Sequence, residues 1–449
     1  MASSMIGLFS VLIFLSFSGP ASATDGYFQD GYGARHKALA GSGVADGRDA
    51  TAAALNPAGL VHAGEELDIS VSIFSPRRSV TGGGQTGFSP LGETESGSEY
   101  FAIPNLAWST KAYSNALFDV IALTMYGNGG MNTDYKDFAR APQNCIDRFN
   151  NPIGTQTGVF CFGAMGVNLN QAFLSVAFAK ELAPGFSIGI APLLAYQQIE
   201  LVGANAFTGI SNDPSAVSGT GTDRTFGGGL RAGIEYAPMP NVRIGVAGNS
   251  RIWMQPFDKY RGLFAEQGSF DIPASIQAGI AVDVSPSLTV MLDYKHIWYS
   301  TIKSIANAST NGSTCSPPAQ GGPGGPTCLG GDEGPGFGWD DINIIKLGAE
   351  WRAKDDLTLR LGYSWNESPI QSRDAMFNII APGIVQHHIT GGLKYRIDND
   401  YALEVSAMYV PRSTLSGAEL SGFGNPNHNL ELQMHQFEVT AGLVYNFGP

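Results

Sequence analysis

The side chains that support catalysis or metal binding in other proteins are few in this sequence, and their spacing does not bring them together. His387 and His388 are adjacent in a segment of alternating residues, so in a strand they face opposite sides and cannot share a metal ion. Asp46 and Asp49 lie in a glycine-containing turn, but the other ligand positions of a Ca²⁺ loop are missing. There is no HExxH or P-loop motif. We therefore predict no enzyme, no metal site and no cofactor.

The four cysteines form two pairs that are close in the sequence. Cys145 and Cys161 lie in one polar stretch rich in Asn, Gly and Pro, and Cys315 and Cys328 lie in another. Neither pair has CxxC spacing or a nearby His, which disfavours a zinc site. In an oxidising compartment each pair would close its own loop. We predict these two disulfides, with free thiols as the alternative.

Apolar residues gather in two segments that connect regular elements. Ile379, Ile384 and Val385 belong to one segment, and the other carries Trp253, Met254, Phe257, Leu263 and Phe264. Apolar loop tips on an exported protein indicate a binding patch. Burial contributes about 0.8 kcal/mol per CH₂, so such a patch can hold a hydrocarbon chain without any catalytic chemistry.

A carboxylate head group on such a ligand would need a nearby cation. The candidates for this role, close to the second segment, are Arg251, Lys259 and Arg261. For each of them, the alternative that its position favours is an ordinary solvated surface charge.

The composition of the 449-residue chain restricts its class. It has 58 Gly, 10% aromatic and only 14% charged residues, against about 25% charged residues in typical soluble proteins. A disordered chain would have more charge and fewer aromatics, and beyond the N-terminus no apolar run reaches the roughly 18 residues of a spanning helix. A net charge of -13 without a basic patch disfavours nucleic-acid binding. These features are typical of a transmembrane β-barrel.

The N-terminus has the pattern of an export signal. Residues 5–17 are an apolar stretch that is too short to span a bilayer, and Ala21-Ser22-Ala23 resembles a cleavage site. Residues 1–4 contain no Lys or Arg, so a buried apolar helix is the alternative. We predict a signal peptide over residues 1–23.

Apolar and polar residues alternate with period two through most of the remaining chain. A soluble β-sandwich also alternates, but here the connections alternate between short and long, as in outer-membrane barrels. Aromatic residues end the apolar faces, as an interfacial girdle requires; examples are Trp298, Tyr299, Tyr363, Trp365, Tyr395 and Tyr445. The predicted strands are 65–75, 99–112, 117–127, 167–180, 185–202, 223–238, 241–257, 270–284, 287–303, 341–353, 356–368, 384–397, 401–412 and 431–447.

Residues 24–64 precede these strands, lack alternation and are rich in Ala and Gly. About fourteen strands leave an interior too wide for side chains alone to fill. The inward faces also carry charges of both signs, among them Asp293, Lys346 and Glu350, and a dry lumen would require these to be paired. We predict that residues 24–64 form a plug, or hatch, inside an all-β, antiparallel barrel of residues 65–449; a periplasmic tail is the alternative.

Several motifs resemble those of the FadL-type long-chain fatty acid transporters. Residues 40–45, 49–51 and 56–60 resemble the N-terminal hatch of that family. Further similarities follow in order along the chain, at 166–171, 187–192, 195–197, 270–274, 336–341, 346–350, 361–363, 381–383, 387–388 and 434–436. The resemblance implies a fourteen-stranded barrel with an extracellular hydrophobic groove, a deeper apolar pocket and a lateral opening where the third strand kinks.

The same resemblance assigns roles to individual residues. Asn56, Pro57 and Ala58 are the hatch motif, and Phe28 reaches the deeper pocket. The kink falls at Gly127, Asn128, Gly129 and Gly130, where glycines can break ladder pairing.

These inferences together predict a passive transporter of long-chain fatty acids or other hydrophobic compounds in the bacterial outer membrane. Its partners are a hydrophobic small molecule and outer-membrane lipid, not nucleic acid, and we expect a monomer. The predicted route is extracellular capture, binding in the lumen, hatch movement and lateral release. The alternatives are a general water-filled diffusion porin and an outer-membrane lipase or protease.

Overall fold

The computed structural model describes residues 25–112, 117–141, 145, 152–420 and 424–448. In these residues no helix has the length and apolar character needed to cross a membrane. The predicted signal peptide, residues 1–23, lies outside the described residues.

Fourteen strands of the described chain form a closed antiparallel barrel, as predicted. Pairing of the first strand with the last, from Glu66 opposite Asn446 to Gly84 opposite His428, closes the sheet. Two short strands, β2 and β9, lie outside the cylinder and pair with β1 and β7. The strands are β1 (Glu66–Gly84), β2 (Gly92–Glu95), β3 (Phe101–Lys111), β4 (Val120–Tyr135), β5 (Met165–Ala183), β6 (Phe186–Val202), β7 (Asp223–Met239), β8 (Val242–Asn249), β9 (Trp253–Met254), β10 (Ser275–Ser285), β11 (Leu288–Ile297), β12 (Ile342–Arg352), β13 (Leu357–Asn366), β14 (His387–Arg396), β15 (Tyr401–Ala418) and β16 (His428–Asn446).

The ends of several strands differ from the sequence prediction. Strands β1 and β4 continue to Gly84 and Tyr135 because their backbones remain paired with β16 and β5 beyond the apolar band. Strands β8 and β11 are shorter than predicted, ending at Asn249 and Ile297. There Ile252 and Tyr299, which follow these strands, turn inward with the loops and are buried, so continued hydrophobicity does not mean a continued strand.

The outward face of the barrel is apolar. Ile69, Val71 and Ile73 of β1 are 45–49% exposed, while Ser70 and Ser72 between them are buried. This alternation matches lipid contact on one side and packing in the lumen on the other. Exposed aromatic residues lie near both edges of the apolar band, among them Tyr363, Tyr395, Tyr409, Phe437 and Tyr445. Tyr299 is not one of them, because it is fully buried against the N-terminal segment.

Short and long connections lie at opposite ends of the barrel, because neighbouring strands are antiparallel. The short ones include 184–185, 240–241, 286–287, 353–356 and 397–400. Two further long connections, 250–274 and 367–386, differ from the sequence prediction. The predicted strands 241–257 and 270–284 overlap the first connection, and the predicted strands 356–368 and 384–397 overlap the second. The long loops contain short helical turns at Ala204–Ile210, Pro214–Ala216, Asp258–Tyr260, Ala265–Gly268, Tyr299–Thr301, Lys303–Ala306, Ser309–Thr314, Pro318–Gln320, Ser372–Asp374 and Phe377–Ile379.

The N-terminal segment fills the lumen as a hatch. It contains an α-helix at Gly33–Ala38 and 3₁₀ turns at Ala50–Ala54 and Pro57–His62, and its residues are almost all buried. The hatch fits inside the barrel because small residues on the hatch and the wall let the two backbones approach closely. For example, a Cβ on Gly245 of β8 would lie 2.3 Å from the Val44 carbonyl oxygen. The segment is therefore inside the barrel and is not a periplasmic tail.

Candidate functional site: an apolar cavity above the hatch

The long loops fold together over the barrel and surround an apolar cavity that is partly open to solvent. Five loops contribute to it, together with the ends of β5 and β6. The lining residues are Phe160, Met165, Leu201, Ala204, Phe207, Leu263, Phe264, Ser304, Leu329, Pro335, Gly336, Phe337, Phe377 and Ile380. The lining contains no charged side chain, and the hydroxyl of Ser304 donates to the Ser269 carbonyl at 2.5 Å. The cavity is suited to an apolar ligand.

The predicted apolar patch is only partly at this cavity. Leu263 and Phe264 line it, and Phe257 lies buried behind them with its ring centroid 6.2 Å from that of Phe264. Met254 packs against the same core. Trp253 is different: it is 61% exposed, because the pairing of β9 with β7 directs it outward. Trp253 therefore does not belong to the cavity.

Several cavity residues were missed by sequence reasoning. Phe160, Phe207, Phe337 and Phe377 lie in Gly-, Ser- and Asn-rich loops, where no periodicity marks them. Their rings meet across loops: Phe207 lies 5.3 Å from Phe160 and 5.1 Å from Phe377. An aromatic residue in a long polar loop is the only local signal that could have identified them.

Both cysteine pairs are joined in the structure and flank the cavity. The disulfide Cys145–Cys161 ends beside Phe160, and Cys315–Cys328 ends beside Leu329. Both neighbouring residues line the cavity. A disulfide removes conformational freedom from the loop that it closes, so each of these two loops presents its apolar residue from a restrained position.

The three candidate carboxylate-binding cations lie outside the cavity and have other partners. Arg251 pairs with Asp271 at 2.7 Å, and Arg261 pairs with Asp213 at 2.6 Å. The hydroxyl of Ser215 and the guanidinium of Arg261 lower the pKa of Asp213 below its usual value.

Lys259, the third of these cations, donates from Nζ to the carbonyl of Thr222 at 2.8 Å. These contacts assign all three cations to the support of the loops.

The hatch motif is held against the barrel wall by specific contacts. Asn56 donates from Nδ2 to the Val44 carbonyl at 2.7 Å and to the Ile234 carbonyl at 3.1 Å, and its Oδ1 accepts from the Ala58 amide at 3.0 Å. Pro57 begins the 3₁₀ turn that follows. A Cβ on Gly189 would lie 2.3 Å from the Pro57 carbonyl carbon, so the wall needs glycine at this position.

Buried ion pairs anchor the remainder of the hatch. Arg35 contacts Asp46 at 2.5 Å and Glu350 of β12 at 3.0 Å. Other pairs join Lys37 to Glu438, Lys295 to Asp25, Lys346 to Asp30 and Arg243 to Asp46. Many of the inward charges of the barrel are thus paired with the hatch or with one another, which lowers the cost of burying them in a dry lumen. Asp293 instead accepts hydrogen bonds from the Gly43 and Val44 amides, both at 2.9 Å.

The predicted kink interrupts strand pairing. The register between β4 and β5 shifts between Gly127 and Gly129, and pairing of β4 with β3 ends at Tyr126 opposite Asn105. Beyond this point the described part of β4 has no partner in β3.

The N-terminal segment covers the resulting gap from inside. Gln29 donates its amide to the Asn128 carbonyl at 2.9 Å, and Gly130 donates its amide to the Tyr27 carbonyl at 3.1 Å. A Cβ on Gly129 would lie 1.8 Å from that Tyr27 oxygen, so the close approach requires glycine.

Phe28 lies beside this gap but does not line the apolar cavity. It is 3% exposed and stacks on Tyr27 with ring centroids 5.0 Å apart. The space next to it is lined by polar groups that include Gln29, Arg231 and Lys295. The expected deeper apolar pocket at Phe28 is thus a polar one, because hatch and wall meet there through charged side chains.

Comparison with known proteins agrees with this architecture. A model of the family described as outer membrane protein transport protein (OMPP1/FadL/TodX) matches residues 28–447. No curated protein sequence matches the chain. Among solved structures, the toluene transporter TodX of Pseudomonas putida is 16% identical with a TM-score of 0.64 and covers 94% of this chain and 99% of its own.

Two further solved structures have the same fold. A FadL homologue of Pseudomonas aeruginosa is 13% identical with a TM-score of 0.64, covering 94% of this chain and 100% of its own. The toluene transporter TbuX of Ralstonia pickettii is 15% identical with a TM-score of 0.60, and the match covers 93% of this chain and 99% of TbuX. At these identities the structures show the fold alone. The family match spans nearly the whole barrel and hatch, and the protein therefore belongs to the FadL/TodX family of outer-membrane transporters of hydrophobic compounds.

Proposed function

We propose that this protein takes up hydrophobic compounds by passive transfer from the apolar cavity to the gap between β3 and β4, with no catalytic step. The observation that carries the proposal is the uncharged lining of the cavity beneath two disulfide-closed loops. The hatch occupies the lumen below it, which disfavours the general porin.

An aromatic path supports this route. From Phe264 in the cavity, ring centroids follow at 5.0 Å to Phe270 and at 6.5 Å to Tyr27, and Phe28 stacks on Tyr27. The carbonyl of Tyr27 accepts the hydrogen bond from Gly130. A displacement of the segment around Tyr27 would therefore connect the path with the gap beside β4, and release into the membrane would follow.

The cavity favours an uncharged cargo, such as a monoaromatic hydrocarbon or an alkane. A carboxylate placed among these residues would lose its hydration without gaining a cation, which costs several kcal/mol. Two structural neighbours are described as toluene transporters, which is consistent with this choice.

A long-chain fatty acid is the second candidate, because of one residue deeper in the lumen. Arg231 is 2% exposed and donates to Asn249 at 2.7 Å and to the Ala53 carbonyl at 3.1 Å. It forms no ion pair with any described residue. A buried guanidinium without a carboxylate is a suitable partner for the head group of a fatty acid.

Binding measurements on the detergent-extracted protein test the proposal. Labelled toluene and labelled oleate are titrated against the native protein, Phe264→Ala and Trp253→Ala. Removal of a buried aromatic side chain costs about 1.5–3 kcal/mol of ligand contact, so Phe264→Ala should weaken toluene binding at least about tenfold. Trp253→Ala is the matched control, since it removes an aromatic residue outside the cavity.

Each result distinguishes the candidates. Binding of toluene by the native protein with loss in Phe264→Ala supports the uncharged cargo. Tight binding of oleate to the native protein that is lost in Arg231→Ala supports the fatty acid. Binding of neither ligand, together with sustained single-channel conductance in a planar bilayer, would contradict the proposal and support a porin.

A further inference from the structure

The hydroxyl of Tyr299 joins the loops over the barrel to the backbone of the N-terminal segment. It donates to the Asp25 carbonyl at 2.7 Å and accepts from the Tyr27 amide at 3.3 Å. Tyr299 is fully buried and begins the short helical turn Tyr299–Thr301 in the connection between β11 and β12. We call these two hydrogen bonds the Tyr299 link.

The N-terminal backbone is folded closely around this hydroxyl. Asp25 and Phe28 exchange backbone hydrogen bonds at 3.0 and 3.3 Å, so residues 25–28 form a turn. Gly26 inside the turn has a φ of +71°, and a Cβ at this position would lie 2.4 Å from the Tyr299 hydroxyl oxygen. Glycine is therefore required both for the backbone conformation and for the approach of the hydroxyl.

Different parts of the molecule hold the two residues that the Tyr299 link contacts. The carboxylate of Asp25 contacts Lys295 of β11 at 2.8 Å, so the barrel wall fixes this residue. The Tyr27 backbone instead lies between the Tyr299 hydroxyl, which accepts from its amide, and the Gly130 amide of β4, which donates to its carbonyl. Loss of the link would therefore leave Asp25 in place and weaken the hold on Tyr27.

The connection that carries Tyr299 also lines the cavity. Two short helical turns follow each other there, Tyr299–Thr301 and Lys303–Ala306, and the Ile302 amide donates to the Tyr299 carbonyl at 3.0 Å. Ser304, in the second turn, is a lining residue of the cavity. Only five positions and continuous helical turns separate Ser304 from Tyr299, so a shift of the lining at Ser304 is transmitted to the Tyr299 link.

A second lining segment reaches the ring of Tyr299. Phe337 lines the cavity, and Trp339, two residues later, packs edge-on against the Tyr299 ring with centroids 5.2 Å apart. The Trp339 amide donates to the Ile305 carbonyl at 3.1 Å, which joins this segment to the first one. A ligand in the cavity therefore contacts both segments that position Tyr299.

We propose that the Tyr299 link couples occupation of the cavity to opening of the gap beside β4. A ligand in the cavity shifts the connection at Ser304, and the Tyr299 hydroxyl leaves the N-terminal backbone. Tyr27 then moves away from Gly130, whereas the gap stays covered while the cavity is empty. This inference rests on the proposed binding of hydrophobic cargo in the cavity and adds the residue that controls its release.

Amide hydrogen exchange at Gly130 tests the coupling in the detergent-extracted full chain, measured without ligand, with toluene and with oleate. Tyr299→Phe removes only the hydroxyl, so exchange at Gly130 in the ligand-free variant should rise about fivefold, the equilibrium effect of one hydrogen bond. In the native protein a bound ligand should produce a similar rise, and in Tyr299→Phe it should add little. Tyr260→Phe is the matched control, because its buried hydroxyl also joins an amide to a carbonyl, those of Leu201 at 2.8 Å and Gly221 at 3.0 Å, outside the N-terminal segment.

Ligand affinity separates the coupling from a general loss of structure. If binding has to break the Tyr299 link, Tyr299→Phe removes that cost and should tighten ligand binding by up to about fivefold, whereas a damaged fold would weaken it. Exchange at Gly130 that is the same in Tyr299→Phe and Tyr260→Phe, or weaker ligand binding by Tyr299→Phe, would overturn the proposal. Ligand binding to the native protein without faster exchange at Gly130 would overturn the coupling alone. Binding of neither ligand would overturn the proposed function and the coupling together.

Discussion

Two buried regions of this barrel are constructed from opposite residue types. The hatch meets the wall through ion pairs such as Arg35 with Glu350 and through hydrogen bonds such as those of Asn56. The cavity above is enclosed by aromatic and aliphatic side chains from loops that are far apart in sequence. Directional polar contacts hold a segment in one position, whereas apolar contacts tolerate ligands of different shape. The difference is one of anchoring: polar contacts tie the hatch to the wall around Arg35 and Asn56, whereas no such contact lines the apolar cavity above it.

The strongest test of the polar region is Arg35→Ala. Its guanidinium contacts Asp46 and Glu350, both buried, and loss of one partner from a buried ion pair costs about 3–5 kcal/mol. The free energy of unfolding should fall accordingly, and proteolysis within residues 25–64 should accelerate. Denaturant titration and limited proteolysis measure both effects. Arg352→Ala is the control, because Arg352 is exposed and its side chain donates only to the Pro286 carbonyl among the hydrogen bonds of the described residues. If Arg35→Ala is as stable as this control and the native protein, ion pairs do not hold the hatch.

The matching test of the apolar region is the double variant Cys315→Ser/Cys328→Ser. The two residues are 13 positions apart, and closure of a loop of this size contributes about 3 kcal/mol. Loss of the bond should free Leu329 and weaken binding of apolar ligands in the cavity, while the hatch remains protected from protease. Titration with labelled toluene measures the ligand binding, and limited proteolysis measures the protection of the hatch. Loss of hatch protection would show that the two regions are coupled.

Gly129→Ala tests the boundary between the regions. Its Cβ would overlap the Tyr27 carbonyl oxygen, so the N-terminal segment should leave β4 and the hydrogen bonds of Gln29 and Gly130 should break, at about 1 kcal/mol each. Hydrogen exchange at Gly130 should increase. Gly83→Ala is the control, because the space around a Cβ at that strand position is open. Unchanged exchange at Gly130 would refute the assigned contact.

The smallest expected effect is a pH dependence of the hatch. Nε2 of His62 lies 3.1 Å from Oε1 of Glu235, and this hydrogen bond raises the pKa of His62 against the opposing effect of burial. Glu181 also raises the pKa and Arg243 lowers it.

A raised pKa in the folded state means that the stabilisation is complete below the ordinary value of about 6.5 and is lost as the pH rises through the raised value. Because His62 is partly exposed, solvent limits the effect to about 1 kcal/mol. The native protein should therefore be slightly more stable at pH 6 than at pH 8, and His62→Gln should remove that difference in thermal unfolding. A difference that persists in His62→Gln would assign the pH dependence to another group.

The number of strands could be predicted because each strand separates lipid from lumen. Alternation in a segment such as 357–366 follows directly from the opposite directions of successive side chains. The strand ends could not be predicted, since β1 remains paired with β16 after its outward face has become polar. Trp253 and Tyr299 were misplaced for a related reason: hydrophobicity shows that a side chain avoids water, but not whether lipid or protein covers it.

What the sequence determined by itself is the class of the molecule: an even number of alternating segments, a small-residue segment before them and two close cysteine pairs. These features are local, and local spacing carries them. The tertiary structure alone decided which residues form the cavity, since Phe160, Phe264 and Ile380 come from separate loops. It alone decided that Arg251 and Arg261 support loops. The physical reason is that the partner of a side chain depends on contacts between distant segments, which no local pattern encodes.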